Sequence, residues 1–432
     1  MRWQSAYVWF NCGLMLQSAL PTELESITLD RLSRNGLSEE PRECVKFNDE
    51  PKIPTYICVP NKKAKDRYHY DDVYGCGISS NPTVAKIKSI AEFLERLAIY
   101  NPQKRVLLKH EYEEGLCIDP NLFMHYSDNQ VKAHGYARNG LEKNAYLWSA
   151  ATDWLSKKKI LVPSQLIYLS DMFKDEVAIT PEQISTGAAF GGSVKHAFET
   201  GFLEVIERDA FMISYLTKRK IARVTGFPES VNRIINYLKR YYIDMFVFDV
   251  TNDLEIPVFM AIAVDRQGLG VAVSVGMKSG FDPESAIVGS IMESVQARRQ
   301  SRFSKEMEGD KFHFPKANEI ESKQDRYFYW YPVKMIGHLD FWLKGSRFVS
   351  FSKLDKYVSS IGEGVKQLSE RGYHVIYADM TLDPIKKIGF FAGKVLIPEL
   401  QPLYLSERLK VLYSVHGGDI IPSKGLKPHP FT

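Results

Sequence analysis

Apolar residues along this chain keep two rhythms. From 82 to 100 they recur at helical spacing: Val84, Ile87, Ala91, Leu94 and Ala98 form one stripe, with Glu95 at its edge. The same spacing predicts a helix over 193–218 and another over 283–302. Between and beyond these, short apolar runs read as strands: "DMFVFDV" (244–250), "IPVFMAIAVDR" (256–266), "GLGVAVSVGMK" (268–278), "YHVIYADMT" (373–381) and "AGKVLIPEL" (392–400). Such interleaving predicts an α/β or mixed α+β fold, with sheets packed by helices. Residues 1–65 read as a preamble ending in the polar, turn-prone "PNKKAKDRY", residues 66–405 as the main domain and 406–432 as a tail. The charged stretch 303–326 is expected at the surface as a loop or helix.

Composition narrows the class. The 432 residues are 44% hydrophobic and 25% charged, the balance of a globular chain with a sizeable core. A formal net charge of +4 is too small to argue for nucleic acid. The five cysteines include no C-x-x-C pair, which leaves out a zinc ribbon or a dithiol redox motif. Their odd number, without a secretory signal, predicts reduced thiols in the cytoplasm. The opening "MRWQSAYVWFNCGLMLQSALP" is broken by Gln4, Asn11 and Gln17, unlike a signal peptide, and no later run reaches the roughly 20 apolar residues of a membrane span.

Against this background the helix "GFLEVIERDAF" (201–211) is unusual, because four ionisable side chains travel inside an apolar run. Desolvating an isolated carboxylate costs several kcal/mol or more, so a positive partner is implied. The pattern recurs: "AEFLERL" (91–97) carries E-x-x-E-R like "FLEVIERD" (202–209), and "MESVQARR" (292–299) carries E-x-x-Q-x-R. Residues three apart share a helix face, so Glu92 with Glu95, Glu204 with Glu207, and Glu293 with Gln296 lie side by side. Ordinary ion pairing one turn on, Glu92 to Arg96 and Glu204 to Arg208, is the plain alternative.

An oxygen-only donor set selects hard cations such as Mg²⁺, which binds one or two carboxylates together with substrate phosphates. Five acids, Glu92, Glu95, Glu204, Glu207 and Glu293, and a bound ATP of charge about −4 would be balanced by two or three Mg²⁺ with Arg96, Arg208 and Arg298 at roughly +7 to +9. P-loop, Rossmann and protein-kinase signatures are absent. Two glycine-bearing segments, "YGCGISSNP" (74–82) and "STGAAFGG" (185–192), read as loops before helices; each is either a phosphate-binding turn or an ordinary capped one.

The three acid-bearing helices, in this order and with these preceding loops, resemble the YcaO family. "ISTGAAFGGSVKHAFETGFLEVIERDAF" is the strongest segment; "GCGISSNPTVAKIKSIAEFLERL", "FDVTNDLEIPVFMAIAVD", "AIVGSIMESVQARRQ" and "YADMTLDPIKKIGFFAGKVLIPELQPL" resemble further family elements, over roughly residues 70–405. The resemblance implies ATP and Mg²⁺ as cofactors and activation of a peptide-backbone amide. Glu92, Glu95, Glu204, Glu207 and Glu293 would hold metal. Arg208, Gln296 and Arg298 would handle phosphates, and Ser185 and Gly187 would line the nucleotide pocket. The chain departs from the family at Thr186, where Asn is common, and at Cys76, where Lys is frequent.

The end "LKPHPFT" is similar to the proline-rich terminus of azoline-forming members, matching two of three prolines. Alternating prolines hold an extended tail that can thread into a site at low entropic cost. The resemblance thus implies a cyclodehydratase that turns Cys, Ser or Thr of a ribosomally made precursor peptide into azolines, with Pro428, Pro430 and Thr432 bringing a terminal carboxylate to the amide being activated. Thioamide or amidine formation, and a non-catalytic ATP-binding scaffold, stay open as rivals. A separate leader-binding partner resembling ubiquitin-activating enzymes is expected to deliver the peptide, since no such module is visible in residues 1–65; a homodimer is left open.

Overall fold

The computed structural model describes residues 23–68, 73–103, 107–134, 139–354 and 357–431. Its first part runs α1 (Glu23–Ser33), β1 (Arg42–Glu43), β2 (Thr55–Cys58), α2 (Lys62–Tyr68), β3 (Gly75–Ile78) and α3 (Pro82–Tyr100). There follow β4 (Leu107–His110), α4 (Asp128–His134), β5 (Tyr146–Asp153), β6 (Lys159–Pro163), β7 (Ala188–Gly191) and α5 (Val194–Leu216). Next come β8 (Ala222–Thr225), α6 (Glu229–Lys239), β9 (Ile243–Asp249), β10 (Val258–Asp265), β11 (Val273–Ser279) and α7 (Pro283–Glu308). The last part holds α8 (Lys323–Tyr329), α9 (Asp340–Leu343), β12 (Arg347–Ser350), α10 (Ile361–Glu370), β13 (Ile376–Asp379), α11 (Asp383–Lys387), β14 (Phe391–Leu396), β15 (Tyr413–Ser414) and β16 (Gly418–Asp419). The mixed α/β architecture expected from the sequence is what is found. Among the described residues no helix is long and apolar enough to cross a membrane.

Three sheets carry the three acid-bearing helices. α3 lies on the antiparallel sheet β1-β2-β3, so strands from the first 65 residues pair directly with the main domain. α5 lies on β14 and β7 of the six-stranded sheet, where β4-β5-β13-β14-β7 are consecutive neighbours and β6 joins β5. α7 covers β10 and β11 of the sheet β11-β10-β9-β8-β12, antiparallel except for the parallel β8–β12 pair. α5 also reaches β11, and α3 reaches β7, which draws the three helices together.

Local chemistry explains where these helices start. The Asn81 side chain accepts from the Thr83 amide at 2.9 Å with Pro82 at the first helical position, and Asp282 accepts from Ser285 at 3.2 Å ahead of Pro283. Ser193 caps α5 by accepting from His196 at 3.1 Å. These caps satisfy amides that have no partner within the helix.

α3 and α5 follow the expected spans, whereas α7 continues to Glu308 and takes up the start of the stretch expected at the surface. The strand expected from 268 begins only at Val273, because the buried Asp265 carboxylate folds a turn by accepting from the amides of Gln267, Gly268 and Gly270. The segments "YGCGISSNP" and "STGAAFGG" are not plain loops, since they contain β3 and β7. Val84 and Ala91 are only half-buried, whereas Ile90, Phe93 and Leu97 join the core. The cause is that α3 is covered on more than one side, by β2 and β3 and by β7. The aromatic stretch 327–342 is core, with Phe328, Trp330, Tyr331 and Trp342 buried. "LLKH" forms the edge strand β4, paired among the described residues to β5 alone.

Glycine in β3 and β11 sets the strand-to-helix distance. A Cβ at Gly75 or Gly77 would land on the α3 backbone at Ser89 and Phe93 or at Ala85 and Ser89, and one at Gly276 on the α7 backbone at Ser290 and Ser294. Close approach of two backbones is the role of glycine here, not freedom of turning. Gly276→Ala should therefore push α7 off its sheet and lower stability by about 3 kcal/mol, measured by denaturant unfolding. A cost below about 0.5 kcal/mol would show that the helix is not clamped.

Candidate active site

In each acid-bearing helix, at least one carboxylate reaches back to an amide of the strand or loop beside it. Glu92 Oε2 accepts from the Cys76 amide of β3 at 2.7 Å. Glu293 Oε2 accepts from the Met277 amide of β11 at 2.6 Å, and Glu207 Oε2 from Ser279 of the same strand at 2.9 Å. Glu204 Oε2 accepts from the amide of Gly187, whose φ of 84° turns the loop into β7, at 3.0 Å. The weak sequence echo is thus a structural one: Cys76 to Glu92 and Met277 to Glu293 are both sixteen residues apart. Hydrogen bonds of this kind fix the orientation of a carboxylate and favour its charged form.

Arginines answer three of the acids. Arg96 grips Glu92 Oε1 through Nε at 3.0 Å and Nη2 at 2.7 Å. Arg208 spans Glu204 Oε1 at 3.0 Å and Glu207 Oε1. The plain ion-pair alternative is therefore realised for both E-x-x-E-R motifs. It does not exhaust the charge. Burial, then the fields of Glu204 and Glu92, push the Glu95 carboxyl well above the usual range, and burial with Glu207 pushes Glu293 up to about 7. Those couplings show α3, α5 and α7 sharing one acidic cluster. Among the described residues no three carboxylate, imidazole or thiol groups are already gathered as a metal cage. The donors nevertheless fit a hard cation: they are all oxygen, and Glu95 and Glu293, half-buried, lie beside like charges with too little positive charge to offset them.

The tail comes to this cluster. Pro428 to Phe431 are buried: Trp330 Nε1 donates to the Pro428 carbonyl at 3.0 Å, the Tyr215 hydroxyl to Lys427 at 2.9 Å, and Arg326 to the His429 carbonyl at 2.9 Å. The Phe431 ring packs on Phe211 and lies under the Arg208 guanidinium, 4.3 Å from Cζ to the ring centre. Arg208 thus touches two acids and the tail at once. Thr432 lies outside the described residues.

The other expected residues divide. Ser185 is exposed, and its carbonyl accepts from Ala188 at 2.8 Å in the turn beside Gly187. Gln296 is half-buried one turn from Glu293. Arg298 faces the other way: it is 1% exposed, bound to Glu50 at 2.8 Å, Asp265 at 2.9 Å and the Val271 carbonyl at 2.9 Å. Its guanidinium ties the N-terminal segment to the β10–β11 turn, so it is not carried forward as a phosphate ligand. Arg299 shares the Gln296 side of the helix, three residues on, and lies in the field of Cys44 and Cys76 next to the Glu92 anchor.

Two further contributors were not foreseen. Lys323, exposed at the start of α8, has Arg96, Glu92, Arg208 and Glu204 as electrostatic neighbours. Asp209, directly after Arg208, is wholly buried and holds the C-terminal segment: it accepts from the Gln401 amide at 2.8 Å, from Asn252 at 2.8 Å and from His416 Nδ1 at 2.8 Å. His416 Nε2 reaches Asp253 at 2.9 Å. A cavity of about 550 Å³ lies elsewhere, lined by Tyr112, Asp153, Tyr373 and His374, and includes none of the clustered acids.

Two outcomes follow from these charges. An acid whose folded pKa is raised destabilises the fold as pH rises from its unfolded value, about 4.3, through its folded one. Glu95→Gln and Glu293→Gln should therefore each raise metal-free stability at pH 7.5 and flatten that pH dependence; calorimetry checks this, and a lower melting temperature would overturn it. For His416, burial works against the charged form, but bonds to Asp209 and Asp253 prevail and lift it to about 9. Its stabilisation is full below the unfolded value of about 6.5 and is lost as pH rises through about 9. His416→Gln should remove that alkaline loss, read from melting temperatures between pH 6 and 10; an unchanged slope would contradict the assignment.

Comparison with known proteins agrees with the geometry. Among solved structures, a heterocyclase in complex with substrate and cofactor is similar with a TM-score of 0.69 and 18% identity, over 94% of this chain and 57% of that one. YcaO from Methanopyrus kandleri bound with AMPPCP and Mg²⁺ gives 0.66 and 17%, over 95% and 96%. The E. coli microcin synthetase McbBCD complex with pro-MccB17 bound gives 0.64 and 15%, over 91% and 96%. An uncharacterized protein in the tfuA 3′ region of Rhizobium leguminosarum bv. trifolii is 28% identical over 165 residues, 35% of this chain and 38% of that protein. The chain thus spans little more than a third of that curated relative and under two thirds of the heterocyclase. The sequence profile described as "YcaO cyclodehydratase, ATP- and Mg²⁺-binding" matches residues 76–401, from the Glu92 anchor strand to Gln401. Matched over most of its length, the chain belongs to the YcaO family, with ATP and Mg²⁺ as its cofactors.

Proposed function

We propose that this protein is an ATP- and Mg²⁺-dependent cyclodehydratase that converts Cys, Ser or Thr of a ribosomally made precursor peptide to azolines through phosphorylation of the backbone amide oxygen. The observation that carries the reading is the shared cluster of five carboxylates on three helices, four of them oriented by strand or loop amides and two left without adequate positive charge.

Glu92, Glu95, Glu204, Glu207 and Glu293 would hold Mg²⁺. Ser185, Gly187, Gln296 and Arg208 would line the nucleotide, with Arg299 and Lys323 as added cations. Bound Mg²⁺ and ATP supply the phosphoryl group that makes the amide oxygen a leaving group. The protein's part is positioning and charge. Arg208, already on two acids, offers a cation where negative charge develops, and the strand amides hold the acids rigid against it. The buried segment Pro428–Phe431 supports a role for the tail, because it carries the chain to the Arg208 guanidinium. That placement favours azoline formation over the thioamide and amidine alternatives. The tail is also core, so its removal would lower stability as well as rate. Delivery of the peptide by a separate leader-binding protein belongs to the same reading, as does a cytoplasmic location.

Glu204→Gln and Glu207→Gln should each lower ATP turnover with precursor and partner present by at least about 100-fold while the protein stays folded. The wild-type product should lose the mass of one water per ring. Unchanged turnover in both variants would remove the metal assignment. A product in which oxygen is exchanged for sulfur, with no loss of water, would replace cyclodehydration by thioamide formation.

A further inference from the structure

Directly behind the acidic cluster lies a second, smaller cavity of about 100 Å³, with room for a few waters or one aliphatic side chain. It is joined to the site through two residues. Val205 follows Glu204 on α5, and Thr186 precedes the Gly187 amide that holds Glu204. Most of its wall is apolar, including Leu166, Leu396 and Val411.

Two polar groups in that wall are underused. Lys394 on β14 is 3% exposed, and its amine donates to the Ile184 carbonyl at 2.7 Å although an ammonium group carries three donors. Gln401 is 1% exposed: its Nε2 donates to the Val411 carbonyl at 2.9 Å, while its Oε1 has no donor among the described residues. A buried acceptor without a partner is destabilising, a penalty that a ligand's N–H would remove. Burial also pushes the Lys394 amine down to about 7 against the field of Glu204, so its surroundings do not supply the partners a charged amine needs. An apolar cavity with a few convergent polar groups is the usual build of a ligand pocket.

We propose that this cavity is a subsite for the peptide substrate, taking the aliphatic side chain of a residue flanking the modified amide while Lys394 donates to that residue's carbonyl oxygen and Gln401 Oε1 accepts from its N–H. One donor, one acceptor and an apolar space together match a single peptide unit with a branched side chain. They do not match a phosphate, which would leave Gln401 unanswered. The assignment rests on the peptide-modifying function proposed above and adds a side-chain preference to it.

The test uses the full-length protein and blocked single residues, N-acetyl-leucine-N-methylamide and N-acetyl-glycine-N-methylamide, with binding followed by saturation-transfer NMR. The leucine probe should bind wild type at least tenfold more tightly than the glycine probe. Lys394→Met removes the donor and Val411→Phe fills the space, and each should abolish that preference. Binding of a non-hydrolysable ATP analogue with Mg²⁺ should stay within twofold in both, which also shows that they are folded. Equal binding of the two probes, no binding of either, or unchanged preference in both variants overturns the subsite, the cavity then being a water pocket. If the probes behave as expected but no precursor peptide is modified, the subsite stands and the cyclodehydratase reading falls.

Discussion

The structure depends on how closely three helices approach the strands beneath them. Where β3 and β11 carry glycine, the helix backbone comes within reach of the strand, and a glutamate one turn along can bond a strand amide. α5 meets its sheet in the same manner at Gly201, where a Cβ would strike the Gly187 carbonyl, while one at Gly187 would strike the Val395 carbonyl of β14. The contact does two things. It locks the helix in register on its sheet, and it uses one carboxylate oxygen while leaving the other turned toward the cluster. Orientation of the acids is therefore a property of the backbone packing, not of flexible side chains.

That arrangement sets stability against charge. Glu92, Glu204 and Glu207 are held by arginines; the Glu207–Arg208 pair is enclosed and contributes little net stability, because desolvation offsets much of the attraction, and the partly exposed Glu92–Arg96 pair is weakened by solvent. Glu95 and Glu293 have less to hold them and resist ionisation. A fold optimised for stability alone would replace them. Their presence beside the oriented acids is what a site built to receive further positive charge looks like before that charge arrives. The tail joins the same balance through Phe431, whose ring face supports the Arg208 guanidinium.

Much of this was legible in the sequence. α3 and α5 could be placed because their spacing is strong and their caps, Asn81 with Pro82 and Ser193, are local signals. The acids were legible because E-x-x-E-R inside an apolar run is costly without a partner. β3 and β7 were not, since glycine there reads as a turn and its actual reason, a helix backbone lying against it, is a tertiary contact. Arg298 and Arg299 are adjacent in the chain but face opposite ways, and only Glu50 and Asp265, distant in sequence, show which one is sequestered. Lys323 and Lys394 gave no local signal at all. In the tail the prolines drew notice, while the residue in contact with the acidic cluster is the phenylalanine between Pro430 and Thr432.

The six-stranded sheet beneath α5 has a bearing on how the protein reaches this state. β5 ends at Asp153 and β7 at Gly191, yet the strands that fill the space between them, β13 and β14, begin at Ile376 and Phe391. During synthesis nearly two hundred residues must follow before either edge is covered. Pairings so distant in sequence close late and slowly. Until they do, the nascent chain presents open strand edges, the kind of surface through which incomplete chains pair with one another.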